Sequence, residues 1–269
     1  MDQTNDTESG APWRSLHRRF VVALGGYTVG LAGGTLVVHE RIPVPRCNFV
    51  DEVDVSVHRQ TAFFEKALDH YFQRALRPSF RVPVATPPHV QRTLEAFGFV
   101  PRPRPTDVLS AAPSGSAAPA LGSAERRPAR EDELGGLAAF FTHEKERDEF
   151  ARAIEVAFHH PNPGERLTPW IALIDGVPVS AALVFEHRSV VEIHGVATQP
   201  DRRGQGLATA LVGAVTAAVD RSRVSRVFLV SEESRLAEHL APMGFRVVHR
   251  FREFDLPVEA QLAIPPPGP

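Results

Sequence analysis

The sequence predicts an α/β (α+β) fold made of two similar units in tandem, each a mixed, mostly antiparallel sheet flanked by helices. Three observations predict it. A strand, a glycine-containing loop and a long amphipathic helix follow one another over residues 190–219, and a three-strand meander precedes them over residues 170–198. A strand, a helix and a Gly-Phe pair occur in the same order twice, over residues 80–99 and 226–245. Leu94 and Leu240 each stand four residues before the glycine of that pair.

The loop between the strand and the helix has the composition of an anion site. It reads Arg203-Gly204-Gln205-Gly206-Leu207-Ala208. The first backbone N–H groups of a helix lack internal partners and lie at the positive end of its dipole, so they favour phosphate oxygens. The two glycines let a phosphate approach the backbone closely, and Arg202 and Arg203 add positive charge. The loop therefore predicts a phosphate site.

Two other phosphate-binding motifs fit the loop less well. The Gly-x-x-x-x-Gly-Lys-Ser/Thr run of a Walker loop does not occur in the sequence. A dinucleotide fold remains an alternative, because Gly204, Gly206 and Thr209 loosely imitate its fingerprint and Glu232 follows the next strand. Against it, residues 200–203 separate the strand from the first glycine, where a tight turn is needed.

The segment resembles the acyl-CoA loop of the GNAT superfamily of N-acetyltransferases. That family's pattern, Gln or Arg, two residues, Gly, one residue, then Gly or Ala, falls on Arg203, Gly206 and Ala208. The resemblance implies acetyl-CoA as co-substrate, with its pyrophosphate on the loop amides and its pantetheine arm along the end of the strand. The residues so implied are Val196, Ala197, Thr198, Arg203, Gly204, Gln205, Gly206, Leu207, Ala208 and Thr209.

The elements around the loop follow the GNAT order over about residues 126–257. Two helices are predicted at residues 132–141 and 146–158, and Asp175-Gly176 is a strong hairpin signal between the first two strands of the meander. A strand at 226–231, a short helix at 233–241 and a last strand near 247–256 complete the unit.

The first half of the chain reads as a degenerate copy of the same unit. Its helix at 59–76, strand at 80–85 and helix at 87–96 follow the same order, but Asp51, Glu52 and Asp54 stand where a phosphate needs donors. We expect this half to pack against the second; whether it lines the acceptor cleft stays open. The predicted domains are a degenerate GNAT-like domain at 1–105, an Ala/Pro/Ser-rich linker at 106–125, a GNAT domain at 126–257 and a tail at 258–269.

Residues 20–38 carry no charge and follow His17-Arg18-Arg19, a pattern that also occurs at a membrane span or signal segment. Five glycines divide the segment, and glycine lowers helix stability. We therefore predict short strands at 20–24, 27–31 and 35–39, and keep the membrane span as the alternative.

Composition limits the class of protein. The chain has 269 residues, 43% of them hydrophobic, and a formal charge of −2, with no basic excess to indicate nucleic acid. A single cysteine, Cys47, excludes an internal disulfide and fits a reducing compartment, so a cytoplasmic protein is expected. The twelve histidines show no pairing at metal-ligand spacing, so no metal is expected. The chain is expected to be a monomer or homodimer.

The strand before the loop carries the candidate catalytic residues. Glu192 and His194 share one face of it, because alternate side chains of a strand point the same way. Glu192 is the first candidate for the base that deprotonates an attacking amine, directly or through water, and His194 is the second. The alternative is an acid–imidazole pair bonded inside the fold. The resemblance places the oxyanion donor at a backbone N–H near Val196, where the family's strand bulges.

The expected general acid is missing. Many GNAT enzymes have a tyrosine near the CoA sulfur, four residues before the Gly of the last Gly-Phe pair, and Leu240 stands there. His239, Ser231 and Ser234 are possible substitutes. The sequence thus predicts an acetyl-CoA-dependent N-acetyltransferase that acts on a primary amine. The alternatives are an acyl-CoA-binding GNAT module without catalysis and an NAD-binding oxidoreductase.

Overall fold

A computed structural model describes residues 11–113, 124–142, 146–232 and 234–257. The helices are α1 Ala11–Ala23, α2 Gln60–Phe72, α3 Pro88–Ala96, α4 Leu134–Phe141, α5 Arg147–His159, α6 Leu207–Ala218 and α7 Ser234–Leu240. The strands are β1 Tyr27–Leu31, β2 Gly34–Val38, β3 Phe49–Asp51, β4 Ser79–Pro83, β5 Val100–Pro101, β6 Thr106–Ala111, β7 Glu125–Pro128, β8 Glu165–Ile174, β9 Val177–His187, β10 Val190–Thr198, β11 Arg226–Ser231 and β12 Arg246–Asp255.

The described residues form two compact units that differ from the predicted domains. One unit, called the C unit here, contains residues 11–24 and 107–249; the other, called the N unit, contains residues 25–106 and 250–257. The units differ from the predicted domains at both ends, because residues 11–24 group with the C unit and residues 250–257 with the N unit. The predicted tail, residues 258–269, lies outside the described residues.

The predicted linker is also partly wrong, because its first residues form strand β6. All six residues of β6 are buried, and Val227 to Ser231 of β11 pair with it in antiparallel register. Thr106, Asp107 and Ser110 interrupt the apolar pattern, so local periodicity did not indicate this strand, although Leu109 and Ala111 belong to the core of the C unit. Residues 114–123 of the predicted linker lie outside the described part.

In the C unit the strands of the sheet run in the order β6-β11-β10-β9-β8-β7. Its pairs are antiparallel except β10 with β11, which run parallel. The predicted meander is confirmed as β8, β9 and β10. Asp175 and Gly176 have φ angles of 51° and 78°, as a two-residue type I′ hairpin turn requires.

The two faces of this sheet carry different helices. Helix α6 lies against one face, where Leu207, Leu211 and Val215 belong to the same core as Val191 and Ile193. Helices α1 and α4 contact β10, and α5 contacts β8. Because side chains alternate along a strand, the residues of β10 that do not enter the α6 core face α1 and α4.

The strand predicted at residues 20–24 is wrong, because residues 20–23 form the end of helix α1. Trp13, Leu16 and Phe20 are each 1% exposed, and their spacing of three and four residues places them on one helical face. The strands predicted at 27–31 and 35–39 are confirmed by the hairpin of β1 and β2. Among the helices of the described residues, none is both long and apolar enough to cross a bilayer.

In the N unit the strands of the sheet run in the order β1-β2-β3-β4-β12, with β5 also paired to β12. Helices α2 and α3 contact each other, and their apolar faces share one core with the sheet. Arg81 of β4 and Glu253 of β12 form a buried ion pair with Nε and Oε1 3.0 Å apart. The guanidinium of Arg81 also lies 3.6 Å from the ring centre of Phe49.

The two units repeat one arrangement of elements. In the N unit, β3 and β4 run parallel and α2 connects them; in the C unit, β10 and β11 run parallel and α6 connects them. A short helix follows each second strand, α3 in one unit and α7 in the other. The tandem architecture predicted from the repeated strand–helix order is therefore present.

Candidate functional site

Strands β10 and β11 separate at the middle of β10. Their parallel pairing runs from Val190 with Arg226 to Ile193 with Leu229 and ends there, although β10 continues to Thr198. Over the described residues, the edge of β10 after Ile193 has no β11 partner. Two parallel strands that diverge leave a wedge whose walls are backbone N–H and C=O groups, which an extended ligand can pair with.

A β-bulge starts at the same position. The register of β10 with β9 shifts between His194, opposite Leu183, and Ala197, opposite Ala181. Gly195 has a φ of +65°, and a Cβ atom there would lie 3.2 Å from Cδ1 of Phe141. The bulge therefore needs glycine at residue 195 for backbone conformation and for space, and it turns β10 away from β11.

The loop after β10 ends in a helix start without a side-chain cap. Gly204 and Gly206 have φ angles of +75° and +73°, and Gly206 caps α6 with no side-chain hydrogen bond to the first turn. A Cβ at Gly204 would meet no atom within 4 Å, so the backbone there is open to a bulky group. Arg203 is exposed beside it. These features fit a pyrophosphate on the amides of the first turn.

Side chains of β9 and of the loop itself hold the end of β10. The Ser180 hydroxyl donates to the carbonyl oxygen of Ala197 at 2.8 Å and lies 3.0 Å from Oγ1 of Thr198. Gln199 Nε2 donates to the carbonyl oxygen of Pro178 at 2.8 Å, and Arg203 Nε donates to the carbonyl oxygen of Thr198 at 3.3 Å. The loop is therefore fixed to the sheet before α6 begins.

Glu192 and His194 lie together on the face of β10 toward α1, with a third residue that the sequence did not indicate. Glu192 is 0% exposed, and its Oε1 lies 2.6 Å from Nδ1 of His17 and 3.3 Å from Nδ1 of His194. The three residues are called the buried triad here. Burial alone would raise the pKa of Glu192, but the His17 imidazole, and then His194, hold it well below its ordinary value.

The distances in the buried triad are those of hydrogen bonds. One ligand-type atom from each residue lies within 4.8 Å of the others, yet the 2.6 Å between His17 and Glu192 is shorter than the ~3.3 Å between two ligands of a tetrahedral zinc with bonds of ~2 Å. An ionised carboxylate can only accept, so each imidazole donates its Nδ1–H to Glu192.

The position expected to hold a catalytic tyrosine belongs to the core. Leu240 is 0% exposed and packs in the same cluster as Leu211 and Phe245. Of the possible substitutes, His239 is exposed and Ser231 is half-buried, while the side chain of Ser234 lies outside the described part of the structure. No phenol from the C unit reaches this position, because the sequence has no tyrosine after Tyr71.

Sequence reasoning missed three residues of this site, namely His17, Gly195 and Phe141. His17 lies 175 residues from its partner, so no local pattern connects the two. Gly195 was detectable as a lone glycine inside a strand pattern, which is a bulge signal. Phe141 has no such signal, since its contact with the bulge depends on how α4 packs.

Comparisons with known proteins agree with this geometry. Residues 131–245 match the family model for the acetyltransferase (GNAT) family. No curated protein sequence matches the chain.

Three solved structures show the fold. A GCN5-related N-acetyltransferase from Kribbella flavida is 15% identical, with 90% of this chain and 96% of that chain covered and a TM-score of 0.63. A functionally unknown conserved protein from Staphylococcus epidermidis ATCC 12228 is 10% identical, with 87% and 94% covered and a TM-score of 0.66. A tandem GNAT protein from the clavulanic acid biosynthesis pathway is 15% identical, with 93% and 95% covered and a TM-score of 0.56. The chain thus has a tandem GNAT fold, and its residues 131–245 match the acetyltransferase (GNAT) family model.

Proposed function

We propose that the protein transfers an acetyl group from acetyl-CoA to a primary amine. The observation that carries the proposal is the coincidence, within a GNAT domain, of the wedge after Ile193 with the uncapped start of α6. A ligand with an extended arm and a pyrophosphate needs both features at one end of a sheet. A dinucleotide is the weaker alternative, because residues 199–203 extend the connection before Gly204 and include a short 3-10 helix, Pro200–Arg202.

Each part of acetyl-CoA has a corresponding part of the site. The amides of Leu207, Ala208 and Thr209, with those of Gly204, Gln205 and Gly206, would hold the pyrophosphate, and Arg203 would add charge. The edge of β10 at Val196, Ala197 and Thr198 would pair with the pantetheine arm. These ten residues are the same set that the resemblance implied.

The reaction joins the amine nitrogen to the acetyl carbon and breaks the bond from that carbon to sulfur. Acetyl-CoA supplies the activated acyl group and a thiolate leaving group. The amine is mostly protonated at neutral pH, so the protein must take one proton from the ammonium before the nitrogen attacks, and the nitrogen passes a second proton to water as the carbon–sulfur bond breaks. A backbone N–H near the bulge, at Val196, would stabilise the oxyanion. With Leu240 in the core, the departing thiolate takes its proton from water.

The proton acceptor is His194, supported by Glu192. Glu192 is completely buried, so the direct contact with the amine that its place on the strand suggested is unfavourable. His194 lies at the start of the bulge, and its Nδ1 is hydrogen-bonded to Glu192. The nitrogen that remains for proton transfer is Nε2. In this proposal Glu192 acts through His194 rather than on the substrate.

A second candidate function is acyl-CoA binding without turnover. The observation that favours it is Leu240, since an apolar core residue stands where a general acid is common in the family. Both candidates predict that CoA binds, so only turnover separates them.

The test measures release of CoA thiol from acetyl-CoA with a panel of polyamines, amino acids, aminoglycosides and peptides with free N-termini. We expect at least one amine to raise thiol release above hydrolysis, and mass spectrometry to find the amine heavier by one acetyl group. Binding of acetyl-CoA by calorimetry without turnover on any amine would support the second candidate. Thermal protection by NAD but not by CoA would reject both.

A further inference from the structure

The buried triad joins the first helix of the chain to the candidate catalytic strand. His17 lies on α1, and Glu192 and His194 lie on β10. One carboxylate oxygen, Oε1 of Glu192, is shared by both imidazoles, at 2.6 Å from His17 and 3.3 Å from His194. Within the described residues, the other oxygen, Oε2, has no hydrogen-bond partner. The two rings therefore compete for one negative charge.

The surroundings exclude water from this charge. His17, Glu192 and His194 are 2%, 0% and 6% exposed. The ring of Phe20 lies 4.0 Å from that of His194, and the ring of Trp13 lies 5.5 Å from that of His17. One imidazolium balances one carboxylate, whereas a second would leave an unbalanced charge in an apolar environment, which is costly.

The lengths of the two hydrogen bonds to Glu192 indicate which imidazole carries the proton that balances the carboxylate charge. Both imidazoles bond to the same ionised oxygen, and a hydrogen bond between two charged groups is stronger and shorter than one in which only the acceptor is charged. The contact of Glu192 with His17 is 2.6 Å, and that with His194 is 3.3 Å. The charged pair is therefore His17 with Glu192. His194 is then neutral, with its proton on Nδ1 and a lone pair on Nε2, which is the form a general base needs.

Other charged groups on the elements around His194 are already engaged. On α1, Nη2 of Arg14 lies 3.3 Å from Nε2 of His249 on β12. Nη1 of Arg19, also on α1, donates to Oε1 of Glu165 on β8 at 3.1 Å. The remaining charged or titratable groups here are Arg18, which follows His17, Glu186 of β9, which pairs with Arg166 and Arg223, and His187, 3.8 Å from Glu165. Leu183 of β9, which lies opposite His194, and Phe141 of α4, which lies beside Gly195, are apolar.

We propose that His17 is a positioning residue for acetyl transfer, which keeps His194 neutral by balancing the charge of Glu192. The inference rests on the proposed function and adds a residue from the first helix to it. If His17 is removed, His194 is the imidazole that remains beside the carboxylate among the described residues, so the positive charge that balances Glu192 falls on His194.

Two readouts separate this role from simple packing. In His17→Phe, which keeps a ring against Trp13 and Phe20, and in His17→Asn, which keeps an N–H donor without the charge, the NMR titration midpoint of the His194 ring should rise by about one pH unit. The acidic limb of the pH profile of kcat/KM should move the same way. The variants should therefore lose about tenfold in kcat/KM near pH 7, and this loss should disappear at higher pH. The matched control is His249→Phe, another ring of the C unit near Trp13, which should leave the midpoint unchanged.

The NMR titration needs no substrate, so it tests the triad even if no amine is acetylated. A His194 midpoint that stays within 0.2 units of wild type (about the precision of such a titration) in a folded His17→Asn protein overturns the proposal. So does a loss of kcat/KM that is equal at every pH. If His17→Phe does not fold, His17→Asn decides alone, and a midpoint that rises there supports the proposal.

Discussion

Nδ1 of His17 lies 2.6 Å from Oε1 of Glu192, and both side chains are buried. This contact attaches the first helix to the strand that carries the candidate base. It also links the stability of the C unit to pH, because the pKa of Glu192 is lower in the folded protein than its ordinary value. A group with a depressed folded pKa stabilises the protein above its unfolded pKa, and this contribution is lost as pH falls.

Replacing Glu192 should therefore change the acid side of the stability curve. At pH 7, Glu192→Gln should lower the free energy of unfolding by about 3 kcal/mol, because an imidazolium loses its buried partner. The difference from wild type should shrink as pH falls below about 4, where the unfolded carboxylate is protonated. Urea unfolding at several pH values measures it. Glu149→Gln is the control, because Glu149 is half-exposed on α5 and pairs with the exposed Arg152. A Glu192→Gln deficit that is equal at pH 7 and pH 3 would contradict the linkage.

Replacing Gly204 of the loop should weaken CoA binding as well as lower stability. Gly204 and Gly164 are both exposed and have φ angles of +75° and +77°, and a Cβ added at either position would meet no atom within 4 Å. Alanine at either position should cost about 1 kcal/mol of stability from backbone strain. Only Gly204→Ala should also weaken CoA binding, by about tenfold in calorimetry. Equal affinities in the two variants would count against the loop as the pyrophosphate site.

The bulge should not tolerate a side chain at residue 195. In Gly195→Ala the Cβ would lie 3.2 Å from Cδ1 of Phe141, at a φ of +65°, so we expect a loss of about 2 kcal/mol in stability. Gly136→Ala is the control. Gly136 lies in α4 with no atom within 4 Å of a Cβ and no positive φ, so alanine should stabilise the protein by about 0.5–1 kcal/mol. Thermal unfolding of both variants tests this, and an unchanged melting temperature for Gly195→Ala would show that the bulge can relax.

Neither half of the chain should fold alone. Strand β6 from the first half pairs with β11, and β12 from the second half pairs with β4. A fragment of residues 119–269 therefore lacks a strand and a helix of the C unit, and a fragment of residues 1–118 lacks β12. We expect each to show no cooperative unfolding, and the two mixed together to recover the circular dichroism and CoA binding of the intact chain. Cooperative unfolding of residues 119–269 alone would mean that β6 and α1 are dispensable.

Local patterns were enough for most elements of this protein. Strands β10 and β11 begin and end where the apolar periodicity placed them, and the Asp175-Gly176 turn follows from its two residues. The sequence also located the loop from Arg203 to Ala208, because glycine spacing and a helix start are adjacent in the chain. Its role in binding CoA stays a prediction, as do the roles of Glu192 and His194.

Helices, hairpins, the glycine loop and the repeated order of elements follow from the sequence alone, because each depends on residues only a few positions apart. The pairing of strands depends on the folded structure. Strand β6, from the first half of the chain, pairs in the C unit, and β12, from the second half, pairs with β4 of the N unit. The folded structure also decided that His17 meets Glu192. Such contacts join residues more than a hundred positions apart, and their energy comes from burial and charge that exist only after the chain has folded.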